Sequence, residues 1–249
     1  MAGRLHIAEM DLLALLSSFG LPKLTLRQPL LTSPNHSPRH PTSVIALTDD
    51  GSLELRSAFW GLTPPWLKQL DRAPHCARLD ALDNRPMYRE ARHHRCVVPV
   101  TGVYVWMTQA SGKQPFMVTY VDRRPMLLAG IRTFYPDPLN ALSSTSLATG
   151  NESFALITLE SNALIAPFSE RLPAILEPDA LMRWLSSTTP PDEACALLSP
   201  APLSALGIFP VSRAINAPAC QEWHLSYPIG PMRTGPLPNV SAPDNNDVH

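Results

Sequence analysis

The chain has 249 residues, enough for one large domain or two small ones, and an apolar fraction of 45% excludes a wholly disordered protein. Charged residues are only 16% and prolines number 28, which points to short elements, many loops and a sheet-rich fold in place of a helical bundle. A net charge of -1 excludes a polybasic protein, although Arg far outnumbers Lys, which occurs only at Lys23, Lys68 and Lys113.

Ile7–Phe19 carries leucines at mixed helical spacing, with Gly20 and Pro22 as stop signals, and predicts a core-packing helix. Gln28–Thr42 is proline-rich and predicts a loop. Val44–Leu47 and Ser52–Leu55 flank Asp49-Asp50-Gly51, a hairpin signal. Phe59–Trp66 reads as a rigid aromatic loop, Ala77–Leu82 as a short strand, and Met87–Arg95 as a short Arg-rich helix. Arg95–Trp106 is rich in β-branched and aromatic residues with no alternation, so it reads as one central buried strand, bent at Pro99 and Gly102. Gln109–Lys113 is a turn and Gln114–Val121 the returning strand. Further strands are expected at Arg124–Ile131, Phe154–Leu159 and Ile208–Val211, with a polar loop over Leu139–Glu152 and a helical turn over Ser161–Phe168. Helices follow Pro178 and Pro191. From Pro228 onward Pro, Gly, Asn and Asp dominate, which predicts a folded domain over 1–227 and a disordered tail over 228–249.

Cys76, Cys96, Cys195 and Cys220 show no CxxC and no metal-ligand spacing, so neither metal nor other cofactor is expected. No signal peptide or membrane span is evident, and a cytoplasmic setting with reduced thiols follows. Trp60, Trp106, Cys96 and Cys195 read as packing residues. Ser169, with no motif placing a His beside it, reads as a loop or capping serine.

Short segments in a fixed order carry a resemblance. They are Met-Ala-Gly-Arg at the start, Asn35-His36-Ser37-Pro38, Trp60-Gly61-Leu62 with Pro64-Pro65-Trp66, and Cys76-Ala77-Arg78-Leu79-Asp80. Pro86-Met87-Tyr88-Arg89, the Arg95–Trp106 stretch, Thr158 through Ile165, Arg171-Leu172-Pro173 and Pro210 through Asn216 continue the series. Together they resemble the SRAP family, whose members crosslink to abasic sites in single-stranded DNA. The resemblance implies an α+β fold, a single SRAP-like domain. Its curved, mostly antiparallel sheets would form a barrel-like core with peripheral helices and a basic cleft.

In that family an N-terminal Cys condenses with the abasic aldehyde and closes a thiazolidine ring, assisted by a Glu, a His and an Asn. Here those four positions hold Ala2, Val105, Ser169 and Cys76. Ala2 retains an amine but no thiol, Val105 carries no proton, and Ser169 is no base near neutrality unaided. The binding positions are kept better: Arg4, Asn35, Trp66, Arg78, Arg89, Thr158 and Arg171 stand where the family meets DNA. The reading is a protein that binds single-stranded DNA, abasic DNA included, without the crosslink. Residual Schiff-base or lyase activity through the Ala2 amine, or a protein-interaction scaffold, are the alternatives.

Overall fold

The computed structural model describes residues 3–18, 20–21, 23–64, 66–67, 72–134 and 152–235. Ala2, Pro65, residues 139–151 of the expected polar loop, and 236–249 of the expected tail lie outside that set.

Leu5–Ile7 (β1) is a strand, so the predicted helix is confined to Leu12–Ser18 (α1). The Asp11 carboxylate accepts from Ala14 N at 2.9 Å and caps it, while Leu5 and Ile7 are claimed by sheet pairing. Leu24–Leu26 (β2) follows. The predicted loop over Gln28–Thr42 contains Ser33–His36 (β3), an edge strand made by its pairing with β1. Pro41–Leu47 (β4) and Leu53–Trp60 (β5) form the predicted hairpin, turning at Gly51 with φ +80. Phe59 and Trp60 therefore end a strand and do not open a loop. Cys76–Arg78 (β6) is the short strand, followed by one tight turn over Leu79–Ala81.

Arg95–Trp106 is two strands, Arg95–Val100 (β7) and Gly102–Gln109 (β8), and they belong to different sheets. The break is at Thr101, whose N donates to His6 O at 2.9 Å and whose hydroxyl meets His6 Nδ1 at 2.7 Å. Gly112–Tyr120 (β9), Met126–Phe134 (β10), Glu152–Glu160 (β11), Arg171–Pro173 (β12) and Leu206–Pro210 (β13) complete the strands. Helices at Leu181–Leu185 and Pro191–Ala196 match expectation.

One sheet runs β12-β11-β10-β7-β4-β5-β2, and β11 also pairs parallel with β5 at Ser153↔Phe59 and Phe154↔Trp60. That pairing closes β11, β10, β7, β4 and β5 into a ring, the barrel-like core of the α+β fold. The second sheet, β13-β9-β8-β1-β3, packs Leu5, Val103, Val105, Val118 and Ile208 into the same apolar cluster as barrel residues Val98, Leu128 and Leu156. Its other face, with Tyr104, Met117 and Phe209, is covered by the chain after Val211. That covering segment continues past the expected boundary at Tyr227. Ile208 and Arg233 exchange backbone hydrogen bonds at 2.9 and 2.8 Å, and Ile229 N donates to Pro210 O. Free edge groups of β13 take these partners, which composition does not reveal.

Successive residues of a strand alternate faces, and on β5 Leu53 and Leu55 join one apolar cluster while Ala58 and Trp60 join the other. Glu54 and Arg56 share the face of Ala58 and Trp60 and begin a buried charge chain. Glu54 pairs with Arg27 and Arg56, Arg56 with Glu152 at 2.7 Å, and Arg132 with Glu152 at 3.1 Å. Arg95, also buried, is met by backbone carbonyls: those of Arg92 at 2.9 Å and Thr189 at 2.8 Å, with Trp184 and Ser186.

Two outcomes test this frame. Glu152→Leu removes the acid that faces both Arg56 and Arg132, and breaking such a buried pair costs about 3–5 kcal/mol. Glu152→Leu with Arg132→Leu recovers part of the loss. Chemical denaturation reads both, and a single variant within about 1 kcal/mol of wild type contradicts the assignment.

His6 and His36 carry the second. Burial lowers the pKa of each to about 4, with the charge of His40 adding to the effect at His36. The unfolded imidazole takes its proton near pH 6.5, so between that pH and about 4 acid favours unfolding. Stability falls through this window by on the order of 3 kcal/mol per histidine. His6→Gln flattens the fall, and an unchanged pH slope in that variant refutes the account.

Candidate functional site

The second sheet places the site. Along β8 side chains alternate, so Val105 enters the apolar cluster with Phe116 and Phe168, while Trp106 lies on the other face. A cleft of about 460 Å³ opens where this edge meets the turn before Arg171. It is lined by Val105, Trp106, Phe168 and Ser169, with Arg4, Lys113 and Asn216 around them. Val105 and Ser169, two of the four positions that the resemblance singles out, are thus brought together. Cys76 does not line this cleft, and Ala2 lies outside the described residues.

Arg4 precedes β1 and is fixed by its backbone, whose carbonyl accepts from Tyr104 N at 3.0 Å. Its guanidinium donates to Asn35 Oδ1 at 2.6 Å and Ile215 O at 3.0 Å, and lies 5.9 Å from the Trp106 ring centre. No carboxylate pairs with it among the described residues, and burial lowers its pKa. Asn35 is wholly buried. Its amide donates to Ile215 O, Ala217 O and Cys220 O, so it aims Arg4 and fastens the covering segment without reaching solvent.

Trp106, expected in the core, is half-buried. Its Nε1 donates to Asn216 Oδ1 at 2.8 Å, and Asn216 Nδ2 donates to Lys113 O at 2.9 Å. That linkage holds the ring at the cleft wall. Phe168 is tilted against Phe116 at 4.7 Å and forms part of the floor. The Ser169 hydroxyl donates to Arg171 O at 2.7 Å, and its N donates to Ile165 O, which fits the loop-serine reading.

A second group lies along β11. β6 and β12 pair with β11, Arg78 opposite Thr158 and Arg171 opposite Glu160. Thr158 is wholly buried: its hydroxyl donates to Ala77 O and accepts from Arg171 Nε at 3.2 Å, and its carbonyl accepts from Arg171 Nη2 at 2.6 Å. It positions Arg171 and is not itself a surface contact. Asp80 holds Arg78 through two hydrogen bonds, 3.0 and 2.5 Å, and lies 3.6 Å from Arg171. The Arg78 hydrogen bond is the main reason the Asp80 carboxyl is held below its ordinary pKa. Trp66 is exposed, as is Arg89.

The arginines between 72 and 95 do not make one surface. Arg95 is inside and Arg92 pairs with Asp83, while Arg72, Arg85 and Arg89 stay exposed. Burial pushes the Cys76 thiol up to about 12, so at neutral pH it is not a thiolate nucleophile. Nothing in the sequence marks Lys113, Phe168, Trp106 or Asn216 as lining a common cleft. The rarity of lysine was the one available signal for Lys113.

The sequence pattern of the family described as SRAP, SOS response associated peptidase, matches residues 1–218. The chain is 26% identical over 195 residues to the abasic site processing protein YedK of Escherichia coli, covering 76% of this chain and 82% of that one. It is 25% identical over 193 residues to the abasic site processing protein YoqW of Bacillus subtilis, covering 74% and 82%. Against the abasic site processing protein HMCES of Xenopus tropicalis the match is 26% over 198 residues, 68% of this chain and 55% of the longer relative. A solved structure from Bacteroides thetaiotaomicron superposes with a TM-score of 0.67 at 21% identity, over 84% of this chain and 91% of that one. One from Bordetella bronchiseptica gives 0.67 at 17%, over 84% and 99%. These two likenesses speak for the fold. With the pattern matched over residues 1–218, on a ring-closed sheet carrying the expected segments in order, the chain belongs to the SRAP, SOS response associated peptidase, family.

Proposed function

We propose that this protein binds single-stranded DNA, abasic DNA included, as part of a DNA-damage response, and that it does so without closing the thiazolidine crosslink. One observation carries the reading. The cleft that holds Arg4 and Lys113 holds Val105 and Ser169 with them, and no carboxylate or imidazole is among its described lining residues. Positive charge for phosphate is kept where the groups for proton transfer are absent.

The chemistry follows from that pairing. Imine formation and ring closure need a proton donor and an acceptor within hydrogen-bond reach of the reacting carbon. Val105 offers neither, the Ser169 proton is spent on Arg171 O, and the Cys76 thiol stays protonated. Binding needs less. Phosphate oxygens accept hydrogen bonds from guanidinium groups, and exposed aromatic faces accept bases whatever their identity. Arg4, Arg78, Arg171 and Arg89 supply the first, and Trp66 the second. Asn35 and Thr158 serve by aiming Arg4 and Arg171. The relatives named above are abasic site processing proteins, which supports DNA as the partner. The proposed setting is the cytoplasm. Among the described residues no helix is long and apolar enough to cross a membrane.

Asp80 sets the strength of the interface in this reading, since it occupies Arg78 and Arg171 as a phosphate would. Fluorescence anisotropy with labelled oligothymidylate across a salt series tests this. Arg4→Ala and Arg78→Ala each weaken binding and flatten the log–log salt slope by about 0.7. Asp80→Asn releases both arginines and tightens binding by roughly two- to fivefold, the scale of an exposed ion pair. Absence of binding at low salt, or affinities untouched by both arginine variants, overturns the proposal.

A further inference from the structure

The cleft also says which part of a strand suits it. Val105 and Phe168 make its floor, both under a tenth exposed, and the half-buried Trp106 makes its wall. Arg4 and Lys113 bring positive charge with no acid partner among the described residues. Asn216 spends its side chain holding Trp106 and the Lys113 backbone. Ser169 donates its proton to Arg171 O and keeps only acceptor capacity. Such a lining rewards a flat, apolar body joined to an anion. Its volume of about 460 Å³ falls within the range of small-molecule sites.

A base-free sugar phosphate fits this lining poorly. Its hydroxyls and aldehyde would be buried against valine and phenylalanine, and polar groups buried without partners oppose binding. A nucleobase fits it well. It brings a planar face to Trp106 and Phe168 and a ring N–H or amino group to the Ser169 oxygen. Stacking on an aromatic side chain strengthens binding by roughly five- to a hundredfold per base. Resting on the DNA-binding reading, we propose that this cleft seats an intact nucleotide in preference to a base-free sugar phosphate. The phosphate lies at Arg4 and Lys113, and the base lies against Trp106 and Phe168.

The probes are dTMP, 2-deoxyribose 5-phosphate and inorganic phosphate, titrated into the full chain while the Trp106 indole N–H signal is followed by NMR. Trp106→Phe assigns that signal. The expected order is dTMP at least tenfold tighter than deoxyribose 5-phosphate, with the latter close to inorganic phosphate. Val105→Glu places a charge on the floor and abolishes the dTMP advantage. Ser169→Phe fills the same space from a half-buried turn and gives the same result without altering a buried strand. Lys113→Ala weakens all three probes and leaves their order intact. Equal affinity for dTMP and deoxyribose 5-phosphate overturns the inference, as does a dTMP advantage that survives both filling variants. Failure of the parent reading is a separate result: oligothymidylate is then not bound at low salt, whatever the mononucleotides do.

Discussion

The structure turns on the corner at Thr101. There the chain leaves the closed ring and starts the second sheet, and one threonine fastens both to β1. Its N and hydroxyl both reach His6 O, its hydroxyl meets His6 Nδ1, and it accepts from Ala8 N. On one side β7 pairs with β10 and β4 within the ring, and on the other β8 pairs with β1 and β9. Val105 and Trp106 are aimed by what happens at this corner. A shift of one residue would exchange their faces and place an indole in the floor of the cleft. The half-buried, neutral His6 is part of the same fastening, so the corner and part of the acid sensitivity of the fold share one cause.

The charged groups divide into three kinds with different work. Inside the ring, Glu54, Arg56, Glu152 and Arg132 neutralise one another and fix how the strands meet. Around Arg95, carbonyls at the end of the Leu181–Leu185 helix do the same without any acid. At the cleft, Arg4 and Lys113 have no opposing carboxylate among the described residues. Holding an unpaired guanidinium half-buried opposes folding, and Asn35 offsets part of that by orienting it. Such an arrangement is stabilised further when an anion arrives. Asp80 shows the contrasting case, an arginine pair already occupied by an acid of the same chain.

How much of this was legible depended on whether local signals and tertiary contacts agreed. The Asp49-Asp50-Gly51 hairpin and the buried character of Arg95–Trp106 were written locally in turn chemistry and β-branching. The division of that run at Thr101 was not. Both strands are covered on two faces, so no alternation marks a change of sheet, and only Pro99 and Gly102 hinted at a bend. Ser33–His36 is a strand because β1 pairs with it and Tyr104 donates to Pro34 O, partners that lie far off in sequence. Arg233 likewise finds Ile208 only in the folded state. The meeting of Val105 with Ser169 came from resemblance. Periodicity could not supply it, nor could it supply Lys113 and Asn216, whose roles follow from where β9 begins and where the covering segment sets out across the sheet. Asn35 and Thr158 show burial that the sequence does not announce. Sequence resemblance implies DNA contacts at both, while the structure buries both and bonds them to the half-buried guanidinium groups of Arg4 and Arg171.

The proposed function rests on a cleft that has positive charge and no carboxylate or imidazole among its described lining residues. It is tested most directly by incubating the protein with single-stranded DNA bearing one abasic site, without reductant, then resolving the mixture on a denaturing gel after heating. The wild type is predicted to give no shifted band. Ala2→Cys, Val105→Glu, Ser169→His and Cys76→Asn introduced together are predicted to give one, and Ala2→Cys alone little, because groups acting as a unit are not additive. A heat-stable adduct formed by the wild type would contradict the account.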